Sequence, residues 1–240
     1  MAIIEKIKLI FRANRYKNKI DKTEIAYIIG ALKEGQTAID IGAHKAGYLY
    51  NILKQIGSKG QIYAFEPQTI LFNYLTGLKR IFGWSNVVIE HIALSDRIGT
   101  VSLFIPANNG KPTSPGASIV GSENFREFKT EEVHTETLDS YCSRKNIKPD
   151  FLKIDVEGNE LNVFKGGAET LKKYHPKILF ECEERHVGKE KVMETFRFLE
   201  GLGYKGQFIS ADKIMPLDSF DFTIHQNREM KPYCNNFIFE

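Results

Sequence analysis

The sequence predicts an α/β fold in which a doubly wound, mostly parallel sheet carries helices on both faces. From residue 37 onwards, short apolar runs alternate with helix-like segments, a pattern typical of parallel strands. A glycine-containing turn follows the first run, and acidic residues follow several others. Ligands of such sheets bind beyond the carboxyl ends of the strands, so these polar residues are predicted to form a site.

The order of elements follows from the apolar patterns. Strands are predicted at 37–41, 61–65, 87–94, 99–105, 132–136, 151–154 and 177–181, with an antiparallel C-terminal edge strand at 236–239. Helices are predicted at 48–56, 69–81, 138–145, 160–174 and 190–202. Segment 106–118 contains three prolines and is predicted to be an irregular loop, either a lid or substrate loop or an inert surface insertion.

We divide the chain into an N-terminal helical arm, 1–35, and a main domain, 36–240. Within the arm, Ile3, Ile7, Ile10 and Phe11 recur at helical spacing between basic residues, and a second helix is expected at 23–33. The apolar stripe of the first helix either packs on the domain edge or docks on an anionic membrane or a partner. The sequence leaves both alternatives open.

Charge is unevenly distributed along the chain. Residues 1–22 carry a net charge of +5 and the remaining 218 sum to −2. The main domain therefore has no basic surplus, which disfavours a nucleic acid as an obligate substrate.

Cysteine usage and hydropathy indicate the compartment. Cys142, Cys182 and Cys234 are far apart and form neither a C-x-x-C pair nor a zinc spacing. We find no signal peptide and no apolar run approaching the ~18 residues that span a bilayer. The expected location is a reduced cytoplasm, and the oligomeric state stays open.

The turn after the first predicted strand is the first candidate site. Asp40 ends the strand and can hold an ammonium group or an ordered water, while Gly42 and Gly47 allow a sharp turn and close approach to a ligand. Dinucleotide-binding turns read G-x-G-x-x-G, and here His44 replaces the second glycine. This side chain argues against NAD, whereas an adenosyl ligand without phosphates does not need that glycine.

Two further strand ends carry polar residues. Glu66 follows the second strand, where a carboxylate accepts hydrogen bonds from both ribose hydroxyls. The alternative for Glu66 is a helix N-cap. Ser95 and Asp96 follow the third strand and are candidates for an adenine contact, although a turn or helix cap explains them equally well.

A buried apolar strand then runs into Asp155, Glu157 and Glu160. Carboxylates at the end of a central strand are costly to desolvate unless they are paired, which favours a functional role. Glu160, and to a lesser degree Glu157, can instead interact with the dipole of the following helix. His186 follows the next strand and is expected on the same rim, where a plain loop residue is the alternative.

These motifs together resemble the FkbM family of methyltransferases. The resemblance rests on segments 40–47, 65–67, 93–96 and 152–160, with Lys-Ile-Asp-Val-Glu-Gly the most distinctive, and covers roughly 36–183. It implies a Rossmann-like class I methyltransferase fold, S-adenosylmethionine as methyl donor, and typically a hydroxyl acceptor on a sugar or natural product.

The resemblance also implies residue roles. Asp40, Gly42, Ala43 and Gly47 border the methionine end of the cofactor, Glu66 binds the ribose, and Asp96 lies near the adenine. Asp155 and Glu157 face the acceptor.

In an in-line displacement the protein supplies proximity, orientation and a base. Asp155 is the first candidate for the base and His186 a weaker one. A magnesium ion held by Asp155 with Glu181 or Glu183 is a variant, without any fixed ligand spacing to support it. Two other functions stay open: a nucleic-acid methyltransferase that uses the basic arm, and a non-catalytic domain that retains the fold.

Overall fold

The computed structural model describes residues 2–108, 111–112, 116–120 and 127–240. Its helices are α1 (Ala2–Arg15), α2 (Lys22–Ala31), α3 (Gly47–Ile56), α4 (Thr69–Phe82), α5 (Leu138–Lys145), α6 (Glu160–Lys165), α7 (Ala168–Tyr174), α8 (Glu184–Val187), α9 (Lys189–Gly201) and α10 (Phe222–His225). A π-helical turn, Tyr16–Ile20, joins α1 to α2, and a 3-10 turn comprises Leu217–Ser219.

The strands belong to two sheets. They are β1 (Thr37–Ile41), β2 (Gln61–Phe65), β3 (Val87–Glu90), β4 (Ala93–Leu94), β5 (Gly99–Asn108), β6 (Lys111–Pro112), β7 (Phe128–Glu136), β8 (Phe151–Ile154), β9 (Lys177–Glu181), β10 (Gly206–Ser210), β11 (Lys213–Pro216) and β12 (Asn236–Phe239). The main sheet has the order β11-β10-β12-β9-β8-β1-β2-β3. Strands β9, β8, β1, β2 and β3 are parallel, which confirms the predicted α/β fold.

The topological switch point lies at β1, because the chain runs outward from β1 to β2 and β3 and later returns to place β8 on the other side of β1. Crevices open at such points beyond the strand ends. All four residues of β8 are buried, and three of them are apolar, as expected for a central parallel strand.

The C-terminal strand corrects one detail of the prediction. β12 is antiparallel, but it lies between β9 and β10 and is not an edge strand. A hairpin of β10 and β11, absent from the sequence prediction, extends the sheet beyond it. β10 and β12 are short segments whose pairing depends on contacts far apart in sequence.

The predicted helix 160–174 is divided in two. A Cβ on Gly166 would lie 2.0 Å from the carbonyl oxygen of Ser95, and one on Gly167 would lie 2.7 Å from Leu138 Cδ2. At Gly166 the backbone therefore passes too close to the backbone of Ser95 for a side chain, and both glycines lie between the end of α6 and the start of α7. The predicted strand 87–94 is likewise divided, and its second part, β4, pairs with β7.

The second sheet, with the order β4-β7-β5-β6, contains part of the predicted loop. Residues 106–108 continue β5, and 111–112 pair back on it, so the predicted irregularity at these positions is wrong. Residues 109–110 and 113–115 lie outside the described residues. The lid or substrate role predicted for 106–118 stays a prediction.

The N-terminal segment packs into the same core as the main sheet. Leu9, Ile25 and Ile28 are fully buried in a cluster that also contains Ala38 of β1. The predicted apolar stripe of α1 does not share this packing, because Ile3, Ile7, Ile10 and Phe11 are exposed while Leu9 and Ala13 face the core. In the described part of the chain, no helix is long and apolar enough to cross a membrane.

Candidate functional site

A cavity of about 520 Å³ opens at the carboxyl ends of β1, β2, β8 and β9. Its size lies within the range of small-molecule sites. Of the predicted site residues, those that line it are Asp40, Gly42, Ala43, Gly47, Glu66, Asp155 and Glu157. Four strand ends that are distant in sequence thus meet around one space.

Gly42 is required by a contact between strands. Its φ is +83°, and a Cβ there would lie 1.9 Å from the carbonyl oxygen of Asp155. Its own N–H donates to Phe65 O, and the N–H of Asp155 donates to Ile41 O. The sequence analysis explained Gly42 by a sharp turn and the close approach of a ligand. The structure shows that the glycine also allows the backbone after β1 to lie against the backbone after β8.

We expect Gly42→Ala to destabilise the fold by at least about 2 kcal/mol, because the methyl group meets backbone at a left-handed φ. Chemical denaturation measures the loss. Gly77→Ala in α4 is the matched control, since nothing lies within 4 Å of its Cβ position, and it should be neutral or slightly stabilising. Equal unfolding free energies for the two variants would contradict this explanation.

Asp40 lies at the end of β1 with no solvent exposure. Neither oxygen of its carboxylate has a hydrogen-bond partner among the described residues. Burial raises its pKa to about 6, with Lys153 acting in the opposite direction and Asp155 in the same one. A buried acid without a hydrogen bond is costly, so this carboxylate is suited to a cationic donor brought by a ligand.

Glu66 is held by the backbone of two turns. Its Oε2 accepts a hydrogen bond of 2.8 Å from the N–H of His44, and its Oε1 accepts one of 3.0 Å from the N–H of Gln68. Burial nevertheless raises its pKa to about 7. The Glu66 side chain lines the cavity, and each of its oxygens can accept one more hydrogen bond. Two such acceptors suit the two hydroxyl groups of a diol.

Lys153 lines the cavity and was not among the site residues that the sequence predicted. Its side chain is almost completely buried, and its Nζ lies 3.2 Å from Oδ2 of Asp155 and 4.9 Å from the ring centre of Tyr48. Burial alone would lower the pKa of this amine, but Asp155 and Asp40 outweigh it and the pKa is raised. The cavity lining therefore includes an amine that is paired with a carboxylate. A lysine within an apolar strand motif, Phe-Leu-Lys-Ile, was the available signal.

Glu157 and His186 form a pair at the rim. Glu157 adopts a left-handed φ of +51°, and its Oε2 lies 3.2 Å from Nε2 of His186, within ion-pair distance but without hydrogen-bond geometry. Burial, followed by the charge of Asp155, raises the pKa of Glu157 to about 7. Burial and Arg185 lower the pKa of His186. His186 itself lies behind Glu157 and outside the cavity lining, so the structure does not bring it to the cavity surface.

Beside Glu157 and His186, a second acidic residue is paired with an arginine. Glu183 is buried and binds both Nη2 and Nε of Arg185, and it accepts a 2.7 Å hydrogen bond from the hydroxyl of Tyr233. These donors outweigh its burial and lower its pKa, whereas burial and Asp155 raise the pKa of Glu181 well above the ordinary value. Arg185 and Glu181 line the cavity. Arg185 is thus held at the cavity by a buried carboxylate.

The structure does not bring Ser95 and Asp96 to the cavity. The hydroxyl of Ser95 donates to Asp96 Oδ1 at 3.3 Å, and both residues lie outside the lining, where Ala93 and Leu94 take their place. The proposed adenine contact through these side chains is therefore unsupported, because β4 turns away to pair with β7.

Glu160 lies outside the cavity lining, and its predicted interaction with the helix dipole stays a prediction. Its Oε1 accepts hydrogen bonds from the N–H groups of Gly158 and Val156, so it stabilises the turn after β8 from behind. Asn159 was missed by the sequence analysis: it lines the cavity, and its side chain donates to the carbonyl of Leu94.

The proposed magnesium site finds no ligand set in the residues that the structure describes. They contain no group of three His, Cys, Asp or Glu side chains placed to hold a metal ion. Asp155 is paired with Lys153, and Glu183 with Arg185. Oxygen ligands already neutralised by protein cations are poor candidates for a hard divalent ion.

The N-terminal segment supplies one wall of the cavity. Arg12, Arg15 and Tyr16 line it. Gly47 makes room for Tyr16, since a Cβ at this glycine would lie 3.2 Å from the tyrosine ring. Residues 116, 117 and 119 line the cavity as well, and Ser118 Oγ donates to the carbonyl of Glu157 at 2.7 Å. The site is therefore built from both parts into which the sequence was divided.

Comparison by sequence relates this chain to methyltransferases. The methyltransferase FkbM domain matches residues 40–205. The 2-O-methyltransferase NoeI of Sinorhizobium fredii is 28% identical over 153 residues, which are 59% of this chain and 61% of that protein. This chain therefore spans less than two thirds of the length of that relative.

Solved structures share the fold. Methyltransferase FkbM from Methylobacillus flagellatus KT has a TM-score of 0.57 at 15% identity, covering 88% of this chain and 45% of that one. Aeropyrum pernix fibrillarin, solved with natively bound S-adenosyl-L-methionine, has a TM-score of 0.52 at 14% identity, covering 91% and 73%. The domain match spans more than half of the chain and includes the carboxyl ends of β1, β2, β8 and β9 at the cavity, so the chain belongs to the FkbM methyltransferase domain family.

Proposed function

We propose that the chain is an S-adenosylmethionine-dependent methyltransferase that methylates a hydroxyl oxygen on a sugar or natural product. The proposal rests mainly on the positions of Asp40 and Glu66, which follow or end neighbouring strands and line the same cavity. Asp40 offers a buried carboxylate without a hydrogen-bond partner in the described residues, which suits the cofactor ammonium. Glu66, fixed by two backbone N–H groups, suits the ribose hydroxyls. The name of the relative NoeI favours oxygen as the accepting atom.

The cofactor supplies an activated methyl group, so the protein has to bind, orient and remove one proton. We assign that proton to Glu157, which lines the cavity and whose pKa of about 7 suits a general base at neutral pH. Asp155 serves as the charged partner of Lys153. Carboxylates and Arg185 at this end of the cavity suit an acceptor rich in hydroxyl groups.

Calorimetry with S-adenosylhomocysteine tests the cofactor assignment. We expect binding to the full chain and at least about tenfold weaker binding to Glu66→Gln, because glutamine has one acceptor oxygen instead of two and a buried hydroxyl left without its hydrogen bond costs roughly 1–3 kcal/mol. Glu34→Gln is the matched control, since this glutamate is largely exposed and lies outside the cavity. Absence of binding to the unmodified chain would leave the non-catalytic alternative.

Transfer of labelled methyl groups tests the acceptor. Incubation with saccharides should give base-stable methyl ethers, located by NMR. Label found in RNA or DNA and absent from the saccharides would instead support the nucleic-acid alternative.

A further inference from the structure

The outer face of α1 is an exposed apolar surface, which we define as Ile3, Ile4, Ile7, Ile10 and Phe11. Ile7 is 61% exposed and Phe11 is 71% exposed. The opposite side of the helix contributes Leu9 and Ala13 to the core, so the helix is already anchored without these residues. Five large apolar side chains on one helix face form a contiguous patch of the kind that marks an interaction site.

Basic residues border the outer face. At 100° per residue, Lys8 and Arg15 adjoin one side of it and Lys6 adjoins the other. Lys17 and Lys19 follow in the π-helical turn and are exposed. Residues 1–22 together carry a net charge of +5. An apolar strip between cations is the arrangement by which a helix lies in the interface of an anionic bilayer.

We propose that the outer face of α1 docks on an anionic phospholipid bilayer, with its apolar side chains among the acyl chains and its cations at the headgroups. The helix has 14 residues and is therefore about 21 Å long, too short to span the hydrocarbon and suited to lying in its plane. Lysine and arginine side chains near an anionic surface add to the attraction.

Other occupants fit the charge less well. Two copies meeting through this face would bring two identical basic borders together, since a two-fold interface pairs each patch with itself. A nucleic acid would attract the cations but would leave the isoleucines and Phe11 in water. The bilayer satisfies both the apolar and the basic part of the surface.

Docking in this orientation has a consequence for the cavity. Arg12 and Arg15 of the same helix line it, so the bilayer headgroups would lie beside that wall. The lipid proposal itself does not rest on methyl transfer, because it depends only on the outward side of α1.

Co-sedimentation of the full chain with phosphatidylcholine vesicles, with and without phosphatidylglycerol, tests the proposal. We expect binding to the anionic vesicles that salt weakens. Ile7→Ser/Phe11→Ser should lower the partition coefficient at least about tenfold, because the variant loses two large apolar side chains that would be buried among the acyl chains. The matched control is Ile98→Ser/Ile224→Ser, which changes two exposed isoleucines outside α1 and should bind like the unmodified chain.

The charge requirement is tested by Lys8→Gln/Lys19→Gln, which should weaken binding to anionic vesicles severalfold. Equal binding by the two serine variants, or equal binding to neutral and anionic vesicles, would overturn the proposal. Loss of a self-associated form in Ile7→Ser/Phe11→Ser, without vesicle binding by the unmodified chain, would assign the face to a second copy. Affinity for S-adenosylhomocysteine should be the same in all these variants, so a failure of lipid binding is distinguishable from a failure of the proposed function.

Discussion

Glu157→Gln should lower the turnover number about 10²–10⁴-fold while changing cofactor affinity little, because positioned bases contribute that much to proton transfer. Glutamine keeps the shape of the side chain but cannot take the acceptor proton. The same assignment predicts that turnover of the unmodified enzyme rises through about pH 7, since Glu157 must be deprotonated to act and its pKa is about 7.

Asp155→Asn provides the contrast. The charge of Asp155 is one cause of the raised pKa of Glu157, so its removal should move the pH midpoint of turnover downward without abolishing the reaction. Steady-state kinetics across the pH range measure both effects. If Asp155→Asn abolished turnover and Glu157→Gln retained it, Asp155 would be the base, as the sequence predicted, and Glu157 would be excluded from that role.

Asp40→Asn should stabilise the free protein and at the same time impair cofactor binding. Burial raises the pKa of Asp40 to about 6, so the folded state disfavours its charged form. An acid whose pKa is higher in the folded than in the unfolded state stabilises the fold at pH values below its unfolded pKa. For Asp40 this stabilisation is lost as the pH rises through about 6. Asparagine removes that loss, a gain of roughly 1–3 kcal/mol at neutral pH.

Thermal unfolding between pH 4 and 8, without cofactor, measures the stability effect; the two proteins should converge at acidic pH. Calorimetry should show at least about tenfold weaker binding of S-adenosylhomocysteine, because asparagine offers no charge to an ammonium group. A variant that is less stable at neutral pH, or that binds equally well, would show that Asp40 has another role.

The acidic residues at the strand ends were predictable because each follows a short apolar run in the sequence. Asp40, Glu66 and Asp155 each follow an apolar run, and parallel strands bring such ends to one edge. Lys153 and Arg185 were missed as cavity residues because their role depends on partners: a buried lysine is recognisable only once Asp155 and Tyr48 are seen around it. Ser95 and Asp96 follow a strand in the same way but lie outside the cavity lining, since pairing of β4 with β7 directs their segment into a second sheet.

The amino-acid sequence alone determined the alternation of strands and helices, the position of the acidic strand ends and the resemblance to the FkbM family, all of which are carried by neighbouring residues. Only the tertiary structure decided which side of α1 is buried. Helical periodicity identifies an apolar stripe but not its partner, and here Leu9 and Ala13 fit the core while the larger stripe faces outward. Long-range packing also placed Tyr16 against Gly47 and so made the N-terminal helices a wall of the cavity.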